Sequence, residues 1–304
     1  MLRPWLRSLR NGMIPGLLCI SAVSAPARAQ DARIHGLWVW KGPSTLTTAE
    51  DADKLKDFCQ TQGVNEVYIS VSSRGEMMPE ARIAQTIAVL HVSHIRVEAL
   101  LSSEDADEPG KHREKLLSKV REILEFNRNH AKTRFDGIHL DIEPQQRPEN
   151  KGPGNLRFLP GLVEAFRAVN SLATPARLPV NADIQNKLLK GSLDQRRMLL
   201  TALPLLTLML YELSSPGDGE NQQQQMEKLR SASAKFLDMA YEGLDDPKQA
   251  GSNLAKMVIG LRTPDYADQL PNMLHLLDEA NGANPHYAGW ARHSYNDLLE
   301  AKGK

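Results

Sequence analysis

Three ionisable side chains stand at alternate positions in the stretch FDGIHLDIEPQ (Phe135–Gln145): His139, Asp141 and Glu143. Successive side chains of a strand point to opposite faces, so these three share one face with Gly137, while Ile138, Leu140 and Ile142 share the other. Carboxyl groups two residues apart on a strand lie roughly 6.5–7 Å from each other. Burial and a neighbouring like charge both oppose ionisation, so one carboxyl of the pair is expected to hold its proton above the ordinary range. Such a group at the mouth of a cleft is suited to general acid catalysis. A polar strand face that simply meets water, as in many antiparallel sheets, is the competing explanation.

The surrounding elements bear on that choice. From Ile34 onward, apolar strands alternate with amphipathic helical segments. The strands are expected at 34–40, 64–71, 95–102, 135–142, 178–184, 205–213, 256–262 and 286–295. Helices are expected at 48–62, 81–91, 111–130, 156–172, 193–202, 226–240 and 266–280, with a short one from Asn296. The first opens on a Thr/Glu capping pattern and closes at Gly63. Gln222–Gln225 reads as a solvated helix start. Eight such units predict an α/β fold, a single-domain (β/α)8 TIM barrel over residues 30–304. A doubly wound sheet is the alternative, but no Gly-rich phosphate fingerprint follows the first strand. In a barrel, the aliphatic face of 138–142 packs on helices, and the polar face climbs inside toward the C-terminal rim, where active sites lie.

Other residues are placed to join a site at that rim. Trp38 and Trp40 share a face of the first strand, with Trp40 nearer the rim; Trp38 suits core filling and Trp40 stacking on a sugar. Arg74 and Glu76 follow the second strand, Asn181 and Asp183 alternate on the fifth, and Glu212 and Arg262 end the sixth and seventh. Each is a candidate ligand contact or an ordinary loop ion pair. Aromatic residues make up only 5% of the chain, which favours a short site over a long polysaccharide groove.

Residues 1–29 have a basic start, a short apolar run and A-R-A before Gln30, the pattern of a secretory signal peptide. The run is short for a membrane span of about 20 residues. A secreted or periplasmic protein with no membrane attachment after cleavage is therefore expected. The segment carries four arginines; taking them from the 37 basic residues leaves 33 against 37 acidic ones, a net charge of −4. No basic patch points to nucleic acid. Cys59 alone remains, so no internal disulfide is possible; a buried thiol is expected.

The segment DGIHLDIE resembles the D-G-x-D-x-D-x-E signature of family 18 chitinase-like glycoside hydrolases: Asp136, Asp141 and Glu143 match, and His139 stands where the pattern has Asp. MLYE (Met209–Glu212) is similar to the family's M-x-Y-D, KMVIGL to its K-x-x-x-G, and Trp290 takes the place of its sugar-platform tryptophan. The resemblance implies a retaining, substrate-assisted glycosidase acting on an oligosaccharide or polysaccharide with N-acetylhexosamine units, needing no cofactor or metal. It makes Glu143 the acid/base, Asp141 the residue that orients the acetamide, Tyr211 a donor to its carbonyl, and Asp136 a support beneath the strand. His139 then either donates to Asp141 and holds it ionised or packs as a neutral core residue.

Three other readings stay open. A two-carboxylate barrel glycosidase would pair Glu143 with Glu212 or Asp265, because IEP is similar to the N-E-P of that clan. A noncatalytic sugar-binding barrel accounts for His139 and the few aromatics. A metal hydrolase is weaker, because His35 of the first strand faces outward by alternation and strands five to seven have no histidine.

Overall fold

A computed structural model describes residues 33–73, 76–152, 154–211, 221–244, 254–262 and 270–302. The expected leader, Arg74, Glu212 and Asp265 lie outside the described residues, as does the side chain of Glu76.

Eight strands form a closed parallel barrel: β1 (Ile34–Val39), β2 (Glu66–Ser70), β3 (Arg96–Ser103), β4 (Gly137–Ile142), β5 (Val180–Gln185), β6 (Leu205–Met209), β7 (Lys256–Arg262) and β8 (Tyr287–His293). They pair in chain order, and β8 returns to β1. The helices that follow them are α1 (Ala49–Gln62), α2 (Glu80–Val92), α3 (Lys111–Asn129), α4 (Leu159–Ala173), α5 (Leu193–Leu200), α6 (Gln222–Tyr241), α7 (Leu270–Asn281) and α8 (Tyr295–Lys302). The expected (β/α)8 barrel is the observed one. No described helix is long and apolar enough to cross a membrane.

Local chemistry sets the helix ends. Helix α1 opens on a capping box of Thr48 with Asp51, one residue beyond the expected Thr/Glu pair, and closes at Gly63 in a left-handed conformation. Asn221 caps α6 in the same way, which fixes the start of the glutamine run. Such caps each contribute about 1 kcal/mol.

The outer faces of the strands meet the helices in one apolar layer. Ile138, Leu140 and Ile142 of β4 belong to it, together with Val120 and Ile123 of α3 and Phe166 of α4. Burying each aliphatic side chain contributes roughly 1.5–3 kcal/mol. Cys59 lies in the same layer as a free thiol, which burial pushes up to about 12.

The inner faces fill the barrel differently. Trp38, Tyr68, Leu100 and Val258 form a small second apolar cluster. Two inward glycines make room for large neighbours. A Cβ on Gly36 would sit 2.5 Å from the Tyr68 hydroxyl, and one on Gly137 would sit 2.6 Å from a carboxylate oxygen of Glu98. Around this cluster the interior is charged.

Candidate active site

The site is built in two tiers along the barrel axis. In the lower tier, His139 of β4 lies between two acids. Its Nε2 is 2.8 Å from Asp183 Oδ1 on β5, and its Nδ1 is 3.4 Å from Glu98 Oε2 on β3. All three side chains are only 1% exposed. With a carboxylate at each ring nitrogen, both nitrogens act as donors, the hydrogen-bonding state of an imidazolium. Burial alone disfavours that charge, but the attraction of Asp183 and Glu98 overcomes it and the imidazole is pushed up to about 10. Asn181 donates to both oxygens of Glu98, at 2.8 and 2.9 Å, and Trp38 donates to Asp183 Oδ2 at 3.1 Å. The Tyr68 ring stacks on His139 with centroids 3.8 Å apart.

The upper tier opens as a cleft of about 220 Å³ at the C-terminal rim. Asp141, Glu143, Asp183 and Gln185 line one side of it, and Trp40, Tyr211 and His293 line the other. The volume lies below the 300–1,000 Å³ usual for ligand pockets and suits a single small ring.

The electrostatics of the cleft follow from a shortage of positive charge. His139 is spent on Asp183 and Glu98, so Asp141 has no cation in contact, and its buried Oδ1 has no hydrogen-bond partner. Burial, then the charges of Asp183 and Glu143, push the Asp141 carboxyl well above the ordinary range. Burial also raises Glu143, opposed by the amide of Gln185 and reinforced by Asp183. The amides of Gln145 and Gln185 each donate to Glu143 Oε1 at 3.0 Å, and that of Gln146 donates to Oε2. Tyr211 keeps its phenolic proton, because burial and the charges of Asp183, Asp141, Glu143 and Asp297 disfavour the phenolate.

On the opposite wall, Trp40 donates its indole N–H to His293 Nε2 at 2.9 Å. That bond makes Nε2 the acceptor, so a neutral ring carries its proton on Nδ1, which faces Asp297 at 3.4 Å. The His293 ring also lies 5.2 Å from that of Tyr211.

The structure thus brings Asp141, Glu143, Tyr211, Trp40 and Asp183 together around one cleft. Arg262 stands exposed at the end of β7, in register with His293. Four expectations need correction. Trp290 points outward, stacked on His35 at 4.2 Å and donating to Asp278 of α7, because a register shift near Gly289 sets Ala291 and His293 inward. Asn181 is committed to Glu98 beneath the cleft. Asp136 is at the opposite end of β4, where it accepts from Val97 N at 2.9 Å and lies 2.9 Å from His91 Nε2; this matches the expected support beneath the strand and not a substrate contact. His139 is neither a donor to Asp141 nor a neutral core residue, since it is charged and bound to other strands.

Sequence reasoning missed Glu98, Gln185 and His293. Glu98 was visible as a lone acid inside an apolar strand. His293 was signalled by Gly289 and Ala291, small residues that share its face as the crowded barrel interior requires.

The comparisons with known proteins fit this architecture. The family 17 β-1,3-glucanosyltransferase from Rhizomucor miehei is similar with a TM-score of 0.56 at 12% identity, over 86% of each chain. The chitinase from Bacteroides thetaiotaomicron gives 0.52 at 14% identity, over 87% of this chain and 90% of that one. The chitinase from Chromobacterium violaceum ATCC 12472 gives 0.52 at 12% identity, over 90% and 100%. The likeness is one of fold. No protein-family model matches the chain, and no curated protein matches it.

Proposed function

We propose that the protein is a secreted or periplasmic glycoside hydrolase, exported by residues 1–29, that acts on a glycan with N-acetylhexosamine units. The observation that carries this reading is the pair Asp141 and Glu143 on the inner face of β4. Both carboxyls are raised by burial, and both open on a ring-sized cleft beside Tyr211. Glycosidic cleavage passes through an oxocarbenium-like transition state. A cleft with more acid groups than cations lacks the positive charge that this transition state supplies, so it stabilises the reacting sugar more than the resting one.

In this reading Glu143, whose pKa burial raises, gives its proton to the glycosidic oxygen as the bond to C1 breaks. The substrate's own acetamide oxygen closes on C1, which keeps the overall configuration when water later attacks with Glu143 as base. Asp141 faces the acetamide nitrogen; it releases its proton to water as the substrate binds, and its carboxylate balances the positive charge that develops there. Tyr211 donates to the acetamide oxygen. Chitinases and a glucanosyltransferase share the architecture, and a mutant of the latter has been seen with laminaritriose, which supports a carbohydrate as the substrate class. The test is turnover of aryl glycosides and N-acetylated oligosaccharides by wild type beside Glu143→Gln. Retained turnover in the variant removes Glu143 from the mechanism.

One observation favours a second reading, a noncatalytic sugar-binding barrel. The amides of Gln145, Gln146 and Gln185 all donate to Glu143, and such bonds favour its ionised form over the proton-bearing one. Saturable oligosaccharide binding with no turnover by the wild type establishes it.

A further inference from the structure

The acid cleft is not isolated. Trp40 also forms part of the wall of a larger open groove of about 1030 Å³, which runs from the ends of β2 and β3 to the exposed side of α3. The two cavities therefore meet at this one indole.

The groove has the opposite electrical character. Lys111, Lys115 and Lys119 project into it from α3, and Lys41 from the end of β1. The three helix lysines are four residues apart, which stacks them along one side of the helix. None of the four lysines pairs with an acid among the described residues; Lys115 interacts with Asp105 through charge alone. Glu114 and Glu122 reach the same groove, but Glu114 is drawn to Arg121 two turns further along the helix. Four lysines against two glutamates is an excess of positive charge on a chain whose residues 30–304 carry a net of −4. Ser72 and Ser102 add hydroxyl donors to the wall. A wall rich in ammonium and hydroxyl donors is matched to oxyanions.

We propose that this groove is a subsite for the anionic substituents of a glycan. The carboxylate, sulfate or phosphate groups of sugar units beyond Trp40 lie along the lysines, while an uncharged unit occupies the acid cleft. The proposal rests on the reading of the barrel as glycan-acting, and it narrows the substrate to an acidic heteroglycan. The charge separation supports a fixed direction of binding. An anion placed in the acid cleft meets Asp141, Glu143 and Asp183, whereas one in the groove meets lysines.

Calorimetry on the full chain with three hexasaccharides tests this: a hyaluronan fragment, in which carboxylated units alternate with uncharged N-acetylglucosamine, a keratan sulfate fragment carrying sulfates but no carboxylates, and uncharged chitohexaose. The expected result is that at least one anionic ligand binds more tightly than chitohexaose and weakens as salt rises past about 0.1 M, as screening of exposed charges requires. The triple variant Lys111→Gln, Lys115→Gln, Lys119→Gln should lose about tenfold of that affinity, at exposed ion pairs of ordinary strength, with an unchanged melting temperature. Hyaluronan and keratan sulfate distinguish carboxylate from sulfate recognition. Equal binding of anionic hexasaccharides by wild type and variant overturns the subsite, as does tighter binding of chitohexaose, and either leaves the glycan reading standing. Failure of all three to bind, with no turnover of aryl glycosides, overturns both.

Discussion

His139 on β4 and Asp183 on β5 form a buried ion pair 2.8 Å apart, and this contact decides which acids of the barrel are neutralised. The imidazole is thus committed below the cleft. Asp141, two residues further along the same strand, has its carboxyl pushed well above the ordinary range by burial and by Asp183 and Glu143, which outweigh the opposing charge of His139.

The pair sets the pH dependence of stability. The His139 pKa rises from 6.5 in the free side chain to about 10 in the folded protein. Below pH 6.5 both folded and unfolded chains carry the proton, and the contribution is complete. Between 6.5 and 10 only the folded chain holds it, so stability falls as pH rises and the contribution is gone above 10. Urea unfolding at a series of pH values should show this decline. His139→Ala, which removes the cation between Asp183 and Glu98, should cost about 3–5 kcal/mol near neutral pH, and adding Asp183→Asn should recover part of it.

Glu143→Gln should lower kcat by about 10²–10⁴-fold while leaving the melting temperature close to wild type. In the wild type the acid form of Glu143 persists above the usual carboxylate range, so activity should extend to correspondingly higher pH and decline as Glu143 ionises. A kcat profile against pH reads both effects. An alkaline limb that is the same in wild type and Gln145→Ala would deny that the amides help set this pKa.

Asp141→Asn should separate activity from stability. A carboxyl whose folded pKa lies above its free value makes the protein less stable as pH rises through that interval. The amide removes the penalty, so the variant should be more stable by about 1–2 kcal/mol at pH 8, a gain that vanishes in acid. Turnover should fall by at least tenfold, because nothing then balances the developing positive charge. Thermal melts at pH 3 and pH 8 check the sign.

Trp40→Phe keeps a ring in the wall but removes the donor to His293 Nε2. Loss of one hydrogen bond of about 0.5–1.5 kcal/mol should raise KM roughly two- to tenfold, with a smaller change in kcat. Trp40→Phe combined with His293→Phe should show less than additive loss if the two act through their shared bond.

How much of this was legible follows from which physical rule governs each residue. The alternation of β4 is a property of the extended backbone, so the inward column His139–Asp141–Glu143 and the outward trio Ile138–Leu140–Ile142 could be read from one strand. The partners of His139 could not. They depend on the register of β4 against both neighbours, which sets His139 opposite Leu100 on one side and Asn181 on the other and brings Glu98 and Asp183 within reach. Alternation misleads at β8, where the irregularity between Tyr287 and Gly289 resets the faces, so Trp290 leaves the interior and His293 enters it. The lysine groove was hidden for another reason: four-residue spacing on an exposed helix face is what any solvated helix shows, and only the packing of α3 beside the strand ends turns it into a wall.

The missing side chain of Gly137 constrains how this barrel can change. Because a Cβ there would sit 2.6 Å from Glu98, the glycine, the glutamate, the histidine above it and Asp183 form a set that cannot be exchanged one at a time. An aspartate at 139 would bring a third carboxyl group beside Asp183 and Glu98, with Arg96, 4.0 Å from Glu98, as the nearest cation. A single exchange at any of these four positions therefore costs stability until a second one compensates it, so the set behaves as one unit.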